Sequence, residues 1–219
     1  IIDTAGLRKN SSIRKNEIDT ITSYVSRKEI RYAHLVLLVI DSTELFTNQD
    51  LAVARYVVEE GRALVIVLNK WDLVLEKEEL IKKVKRDINY ILSQVKGVSW
   101  IEFSSLVGDK KDQLLDNIVK NFLLWNKRIA TTVLNKWLID IINLNPPAQS
   151  SGKAVKLRYL TQINIRPPTF LIFSNNPSGV KNSYKRFLVN QLRISFDLKG
   201  IPIRLMFKKA KNPYSEKEK

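Results

Sequence analysis

Short apolar runs alternate along the first half of the chain with segments whose apolar residues recur every three or four positions. The runs are rich in β-branched residues and predict buried strands at 35–40, 63–68 and 100–103. The periodic segments predict helices at about 17–31, 47–60, 76–96 and 112–127. Strands that alternate with helices predict a doubly wound, mostly parallel α/β sheet.

The pattern changes after residue 130. The order there is α-β-β-α-β, which predicts a small α+β domain with elements at 131–144, 156–165, 169–173, 182–196 and 203–207. We therefore predict one domain over 1–128, a second over 129–211, and a polar tail over 212–219.

Charge separates the same two halves. Residues 1–125 hold 19 Lys and Arg against 18 Asp and Glu, whereas residues 126–219 hold 18 against 4, a net of +14. Such asymmetry predicts that the second half meets a polyanion, with nucleic acid favoured. A membrane partner is not expected, because no basic helix shows a broad exposed apolar face and no apolar run approaches the ~20 residues of a span.

Cysteine and histidine limit the chemistry. The chain has no Cys, which excludes disulfides and Cys-ligated metals and suits a reducing cytoplasm. Its single His, His34, lies between a helical segment and a strand, where capping or packing is the expected role.

The tetrapeptide Asn69-Lys70-Trp71-Asp72 directly follows the 63–68 strand. In open α/β sheets, ligands bind outside the carboxyl ends of the strands. The Asp72 carboxylate can accept hydrogen bonds from the N1 and N2 donors of guanine, a pair that adenine lacks. Asn69 can bond N7 or tie loops together, and the Lys70 stem can lie over the base. The alternative is a polar strand-end turn without a ligand.

Two further polar segments follow strands. Asp3-Thr4-Ala5-Gly6 follows Ile1-Ile2, which has the pattern of a strand end, and Ser104-Ser105-Leu106 follows the strand predicted at 100–103. With Asn69–Asp72, their order and separation resemble the third, fourth and fifth motifs of translation-factor-class GTPases. The resemblance implies that Asp3 holds Mg²⁺ through a water and that the Gly6 N–H meets the γ-phosphate, ordering the loop after it as a nucleotide switch. It also implies a bond from the Ser105 N–H to guanine O6. The remaining predicted nucleotide contacts are Thr4, Ala5, Leu7, Lys70, Trp71, Ser104 and Leu106.

Two departures from the GTPase pattern stand out. Leu7 occupies the position where many GTPases place Gln, which resembles ribosome-assembly GTPases that manage water and charge otherwise, some with K⁺. No general base is assigned, so the catalytic residues stay unknown. The chain also has no Gly-x-x-x-x-Gly-Lys-Ser/Thr, since Gly152-Lys153 is followed by Ala154. We expect the phosphate loop to lie before Ile1, and residues 1–219 alone to hydrolyse almost no GTP.

The whole layout resembles the C-terminal part of the Der (EngA) family of bacterial GTPases, which carry two GTPase domains followed by a KH-like domain. The matching segments are Asp3–Leu7, Asn69–Asp72, Thr132–Asn135 with Pro146-Pro147, and the stretch from Lys156 through Arg204. The resemblance implies a P-loop-NTPase-type sheet without its N-terminal strands and phosphate loop, then a KH-like domain. It further implies GTP hydrolysis in large ribosomal subunit assembly in the cytoplasm, with GTP/GDP and Mg²⁺ as cofactors and K⁺ as a further candidate. The implied partners are the large ribosomal subunit with its rRNA and the upstream GTPase domain of the same protein; we expect a monomer.

The basic half raises the question of RNA. KH domains clamp nucleic-acid backbone with a Gly-x-x-Gly loop, which Pro177-Ser178-Gly179-Val180 does not supply. The basic excess nevertheless predicts direct, phosphate-led rRNA contact. The alternative is a docking module that reports the nucleotide state of its neighbour, beside a vestigial or truncated GTPase domain. The candidate RNA contacts are Lys156, Arg158, Arg166, Lys181, Lys185, Arg186 and Arg204.

Overall fold

The computed structural model describes Ile2, residues 28–150 and residues 152–209. The chain divides into two compact units: unit 1 is Ile1–Leu124 with Lys199–Pro202, and unit 2 is Trp125–Leu198 with Ile203–Lys219. Of the helix predicted at 17–31, residues 28–32 are helical and the rest lies outside the described residues. No helix in the described part of the chain is long and apolar enough to cross a bilayer.

Unit 1 contains a three-stranded sheet in the order β1-β2-β3, and both strand pairs are parallel. Its elements are β1 Leu35–Asp41, α1 Asn48–Glu59, β2 Ala63–Asn69, a short 3-10 helix Trp71–Leu73, α2 Lys77–Ile91, β3 Ser99–Glu102 and α3 Lys111–Trp125. The predicted α/β alternation is confirmed.

Strand β2 is the centre of unit 1, with all but its last residue buried. Leu64, Ile66 and Leu68 pack in one cluster with residues of α1 and α2, whereas Val65 and Val67 pack on the opposite side with Leu114 of α3. Helices therefore cover both faces of the sheet, which is why β2 reads as an unbroken apolar run.

Helix α1 begins and ends where the sequence predicts. Thr47 Oγ1 accepts a hydrogen bond from the Asp50 N–H at 3.2 Å, and the Thr47 N–H donates to Asp50 Oδ2 at 2.9 Å. This capping box satisfies two N–H groups that the helix start would leave unpaired. Gly61, at φ 78°, supplies the left-handed turn after the helix.

The helix predicted over 76–96 is shorter in the structure, because α2 ends at Ile91. Leu92 and Val95 lie beyond it, yet only 1% and 3% of their surface is exposed. The apolar spacing that predicted a longer helix therefore continues through buried turns, which end at Gly97 with φ 81°.

Unit 2 contains a second three-stranded sheet, in the order β4-β5-β6. Its elements are α4 Thr131–Leu144, β4 Leu157–Asn164, β5 Thr169–Ser174, α5 Asn182–Ser195 and β6 Arg204–Lys209. Strand β4 pairs antiparallel with β5, and β5 pairs parallel with β6. The predicted α-β-β-α-β order is confirmed.

Two side-chain amides fasten β4, an edge strand of the sheet in unit 2. Gln162 is 1% exposed; its Oε1 accepts from the Ile129 N–H at 2.8 Å and its Nε2 donates to the Lys127 carbonyl at 3.0 Å. Asn135 of α4 bonds both the N–H and the carbonyl of Leu160, each at 2.9 Å. These amides satisfy backbone groups of an edge strand and its neighbours that would otherwise be buried unpaired.

Helix α4 presents a narrower buried stripe than predicted. Leu134 and Leu138 are buried, but Val133, whose apolar side chain in the 131–144 pattern predicts an inward position, is 51% exposed. Positions i and i+1 on a helix point about 100° apart, so a stripe centred on Leu134 and Leu138 leaves Val133 at its border.

Candidate functional site

The three parallel strands of unit 1 end at one edge of the sheet. Asp41 of β1 pairs in register with Asn69 of β2, and Leu68 pairs with Glu102 of β3. The Ser42 N–H donates to the Asn69 carbonyl at 2.9 Å, and the Phe103 N–H donates to the Leu68 carbonyl, also at 2.9 Å. The loops that follow the strands are thus held side by side, where an open α/β sheet binds its ligands.

Asn69 ties two of these loops together. Its Oδ1 accepts a hydrogen bond from the Ser105 N–H at 3.0 Å, and nearby the Trp71 N–H donates to the Phe103 carbonyl at 3.1 Å. The sequence allowed two roles for Asn69, and in the structure Asn69 holds two loops together. The Ser105 N–H assigned to guanine O6 is engaged in this bond, so the O6 contact stays a prediction.

Lys70 adopts a left-handed backbone conformation with φ 59° and pairs with Asp41 across the strand ends. Its Nζ lies 2.5 Å from Asp41 Oδ2, and Asp41 Oδ1 accepts from the N–H and Oγ1 of Thr43 at 3.0 and 2.7 Å. Donation by Lys70, followed by donation from Thr43, lowers the pKa of Asp41 to about 2. Asp41 therefore stays charged and holds Lys70 in place; the contact of the Lys70 stem with a base stays a prediction.

Asp41 is not among the site residues that the sequence motifs predict. A signal was present, since Asp41-Ser42 ends an apolar strand in the same way as Asn69 ends β2. What the sequence alone could not supply is the register that sets Asp41 beside Asn69.

Trp71 and Asp72 begin the short 3-10 helix and point to different surroundings. Trp71 is 8% exposed and packs in the core cluster with residues of α1, β2 and α2. Asp72 is exposed and makes no hydrogen bond or ion pair with the described residues. A buried Trp therefore anchors the loop, while the adjacent carboxylate is available to a ligand that offers two donors.

The segment after β3 forms a compact turn. Ser104 is 2% exposed; its Oγ accepts from the Val107 N–H at 3.2 Å, and its carbonyl accepts from the Gly108 N–H at 2.8 Å. Ser105 and Leu106 are exposed on this turn, Leu106 by 87%. The buried Ser104 thus fixes the turn that presents the next two residues at the strand ends.

The first predicted motif, Asp3–Leu7, lies outside the described residues. Within the described residues, no group of three His, Cys, Asp or Glu side chains is placed to hold a metal ion. The assignments of Asp3 to Mg²⁺ and of Gly6 to the γ-phosphate therefore stay predictions.

The predicted RNA contacts are spread over several parts of unit 2. Six of the seven are exposed, and Lys185 is half-buried, with its Nζ 5.6 Å from the centre of the Phe207 ring. Arg166 Nε donates to Asn126 Oδ1. Their positions are the approach to β4 and its start (Lys156, Arg158), the turn before β5 (Arg166), the first part of α5 and its cap (Lys181, Lys185, Arg186) and the start of β6 (Arg204).

The basic character of unit 2 is strengthened by the absence of acids. Residues 141–196 contain eight Lys and Arg and no Asp or Glu. Lys208 and Lys209, which the sequence analysis did not select, are also exposed on β6. The available signal for them was two consecutive Lys residues directly after the strand predicted at 203–207.

The parallel sheet with Asn69–Asp72 at its edge, joined to a basic α-β-β-α-β unit, defines a GTPase domain of the P-loop NTPase class followed by a KH-like domain. Family models agree: residues 21–123 match the elongation factor Tu GTP binding domain, and residues 128–208 match the KH-domain-like C-terminal region of EngA bacterial GTPase enzymes. The chain belongs to the Der (EngA) family of bacterial GTPases.

The relatives set the extent of this match. The chain is 46% identical over 217 residues to GTPase Der of Rickettsia canadensis, covering 98% of this chain and 48% of that protein. It is 38% identical over 217 residues to GTPase Der of Parvibaculum lavamentivorans, covering 99% and 46%. The chain thus spans about half the length of the curated relatives it matches.

Solved structures of other GTPases are more distant. The chain is similar to Aquifex aeolicus Era Y63A bound to GDP and AlF4⁻, at 15% identity and a TM-score of 0.46, covering 94% of this chain and 74% of that one. The fold assignment rests on the strand order and the family models, not on this likeness.

Proposed function

We propose that the protein to which this chain belongs binds and hydrolyses GTP and acts in assembly of the large ribosomal subunit. The observation that carries the proposal is the exposed Asp72 carboxylate, which has no partner among the described residues. It stands on a loop that buried Trp71 anchors and that Asn69 ties to Ser105.

Guanine fits this arrangement better than adenine. A carboxylate accepts hydrogen bonds from the guanine N1 and N2 donors, and hydrogen bonds to a charged group contribute about 1.5–3 kcal/mol each. Adenine presents no such donor pair, so Asp72 would remain desolvated against it without compensation. The loop is already organised by its own bonds, which lowers the cost of ordering it around a base.

The phosphate side of the site belongs to Asp3–Leu7 and to a phosphate loop that this chain does not contain. In the proposal, Asp3 holds Mg²⁺ through a water, and K⁺ is a further cofactor. The metal would supply charge neutralisation at the phosphates. No general base is assigned.

Unit 2 supplies the contact with the ribosome in this proposal. Its eight basic and no acidic residues over 141–196 favour phosphate-led binding to rRNA of the large subunit. The upstream GTPase domain of the same protein is a second partner. The absence of Cys supports action in the reducing cytoplasm.

Exchange of Asp72 for Asn in the full-length protein tests the guanine assignment. We expect Asp72→Asn to weaken GTP binding at the site of this domain by roughly 100-fold, because one acceptor becomes a donor facing a donor, while a GTP site in the upstream GTPase domain keeps its affinity. Xanthosine triphosphate, which carries a carbonyl in place of the N2 amino group, should bind the variant more tightly than it binds the wild type. Titration calorimetry measures both affinities.

Asp116→Asn is the matched control, since Asp116 is exposed on α3 and undergoes the same chemical change. It should leave GTP affinity unchanged. Equal GTP affinity for Asp72→Asn and wild type would show that Asp72 does not read guanine.

A second candidate function is an RNA-binding or docking module with an inactive GTPase domain. The observation in its favour is that the chain carries no Gly-x-x-x-x-Gly-Lys-Ser/Thr beside its strongly basic unit. This function predicts that residues 1–219 bind RNA with a steep salt dependence but bind no GTP. Loss of one of the GTP sites of the full-length protein in Asp72→Asn would reject it.

A further inference from the structure

The sheet of unit 2 has one face toward its helices and one face toward solvent. Residues that are paired in register across strands point to the same side, and alternate residues along a strand point to opposite sides. Leu160, Ile172 and Phe207 form one such row, and Leu160 and Ile172 are fully buried. Their side is the covered face.

The opposite side contains three rows across all three strands, of which the row at one end is Asn164, Thr169 and Arg204. Tyr159, Phe173 and Lys208 form the first row, and Thr161, Leu171 and Met206 form the second. We call these six residues the outer face. Tyr159 is 44% exposed and Met206 is 52% exposed, with Thr161, Leu171 and Phe173 half-buried and Lys208 exposed.

Two aromatic rings lie next to each other on the outer face. The centres of the Tyr159 and Phe173 rings are 6.0 Å apart, with their planes tilted by 51°. Lys208 is the next residue in the same row. An aromatic pair with a neighbouring cation on an open sheet offers a flat apolar surface for a base and a charge for its phosphate.

Charge decides what kind of partner this surface fits. The three strands of the sheet contain no Asp or Glu, and they carry Arg158, Arg204, Lys208 and Lys209, all exposed. Of these cations, Arg204 and Lys208 lie on the side of the outer face by the alternation along β6. An apolar protein surface would gain nothing from these two charges, whereas a polyanion with exposed bases matches both the aromatic rings and the charges.

We propose that the outer face binds single-stranded RNA, with bases stacked on Tyr159 and Phe173 and a phosphate paired with Lys208. This inference rests on the proposed function, which includes rRNA contact, and it names the surface and the form of RNA. The binding mode differs from a Gly-x-x-Gly clamp, which this chain lacks. Duplex RNA keeps its bases stacked inside the helix, so it cannot use the two rings.

Fluorescence anisotropy with the full-length protein tests the inference. The probe is a fluorescein-labelled oligouridine of about ten nucleotides, a length typical of such surfaces. Tyr159→Ala should weaken binding between about five-fold and a hundred-fold, the range for loss of one stacking ring. Tyr159→Phe should retain binding, because the ring and not the hydroxyl makes the contact.

Tyr90→Ala is the matched control, since Tyr90 is an 83% exposed aromatic residue on α2 of unit 1. It should leave oligouridine binding unchanged. A duplex RNA of the same length should be bound equally by wild type and Tyr159→Ala. Thermal unfolding of each variant shows whether a change in binding reflects loss of fold.

The outcomes separate this inference from the proposed function. If the wild type binds oligouridine and Tyr159→Ala binds it equally well, the outer face is not the RNA site, and the proposed rRNA contact still stands. No RNA binding by the wild type would overturn both. Equal weakening of single-stranded and duplex RNA would reject base stacking. If Tyr159→Ala weakens association with the upstream GTPase domain and leaves RNA binding unchanged, the outer face is a protein-docking surface instead.

Discussion

Among the described residues, the two sheets have three strands each, yet they leave different surfaces open. In unit 1, helices pack on both faces of β2, and Lys70 and Asp72 are exposed where the strand ends. In unit 2, Tyr159 and Met206 lie open on one face of the sheet. The covering helices therefore leave the edge of the sheet open in unit 1 and one face of the sheet open in unit 2.

The largest difference in the free energy of unfolding should lie between a substitution on the covered face and one on the outer face of unit 2. Phe170 is fully buried on β5, and Phe170→Ala should reduce the free energy of unfolding by about 3–5 kcal/mol, because it removes a large side chain and leaves a cavity. Met206→Ala on the outer face should cost about 1 kcal/mol or less, since half of Met206 is already exposed. Hydrogen exchange of the β5 amides measures both.

Similar costs for Phe170→Ala and Met206→Ala would remove the distinction between the two faces. The outer face would then be part of a core, and it would be no candidate for a ligand.

A smaller effect should come from the buried amide of Gln162. Strand β2 of unit 1 has no buried amide of this kind, because its buried residues are all apolar. Gln162→Leu keeps the size of the side chain but leaves the Ile129 N–H and the Lys127 carbonyl unpaired, at a cost of about 2–4 kcal/mol. Urea-induced unfolding followed by the fluorescence of buried Trp125 and Trp137 measures it.

Gln113→Leu is the control for Gln162→Leu. It should be nearly neutral, because Gln113 is exposed on α3. If Gln162→Leu is equally neutral, the Gln162 amide does not stabilise β4, and the attachment of β4 to residues 127–129 needs another explanation.

The smallest effect should come from the ion pair at the edge of unit 1, and it should depend on pH. The pKa of Asp41 is about 2 in the folded state against 3.8 ordinarily, so its contribution is present above pH 3.8 and lost as pH falls through 2. Asp41→Asn should therefore lower the free energy of unfolding by about 1 kcal/mol at pH 7, since half-exposed Lys70 is partly screened. The difference from wild type should vanish near pH 2.

Urea unfolding at several pH values follows this difference, with Asp116→Asn as the exposed control on α3. A gap between Asp41→Asn and wild type that is the same at every pH would mean that the charge of Asp41 is not what stabilises the strand ends.

Much of the fold followed from the apolar pattern. Strand β2 is unbroken in its apolar run because helices cover both faces, and the α-β-β-α-β order of unit 2 followed from its alternation and its Pro and Gly breaks. The pattern failed where burial continued beyond a helix: Leu92 and Val95 extended the prediction past Ile91.

The candidate site was only partly predictable, because a motif names residues but not their neighbours. Asn69 and Asp72 were found from their spacing after a strand, whereas Asp41 depends on the register between β1 and β2. Tyr159 and Phe173 likewise come together only through pairing of β4 with β5. A one-residue shift of register would move either ring to the other face of the sheet.

The central claim is that the two sheets carry separate ligands, guanine nucleotide at the edge of unit 1 and RNA on the outer face of unit 2. Measuring the affinities of Asp72→Asn and Tyr159→Ala for both GTP and oligouridine, in the full-length protein, tests it most directly. The account predicts that Asp72→Asn loses GTP affinity alone and that Tyr159→Ala loses oligouridine affinity alone. Loss of both affinities in either variant, or a reversed pattern, would contradict it.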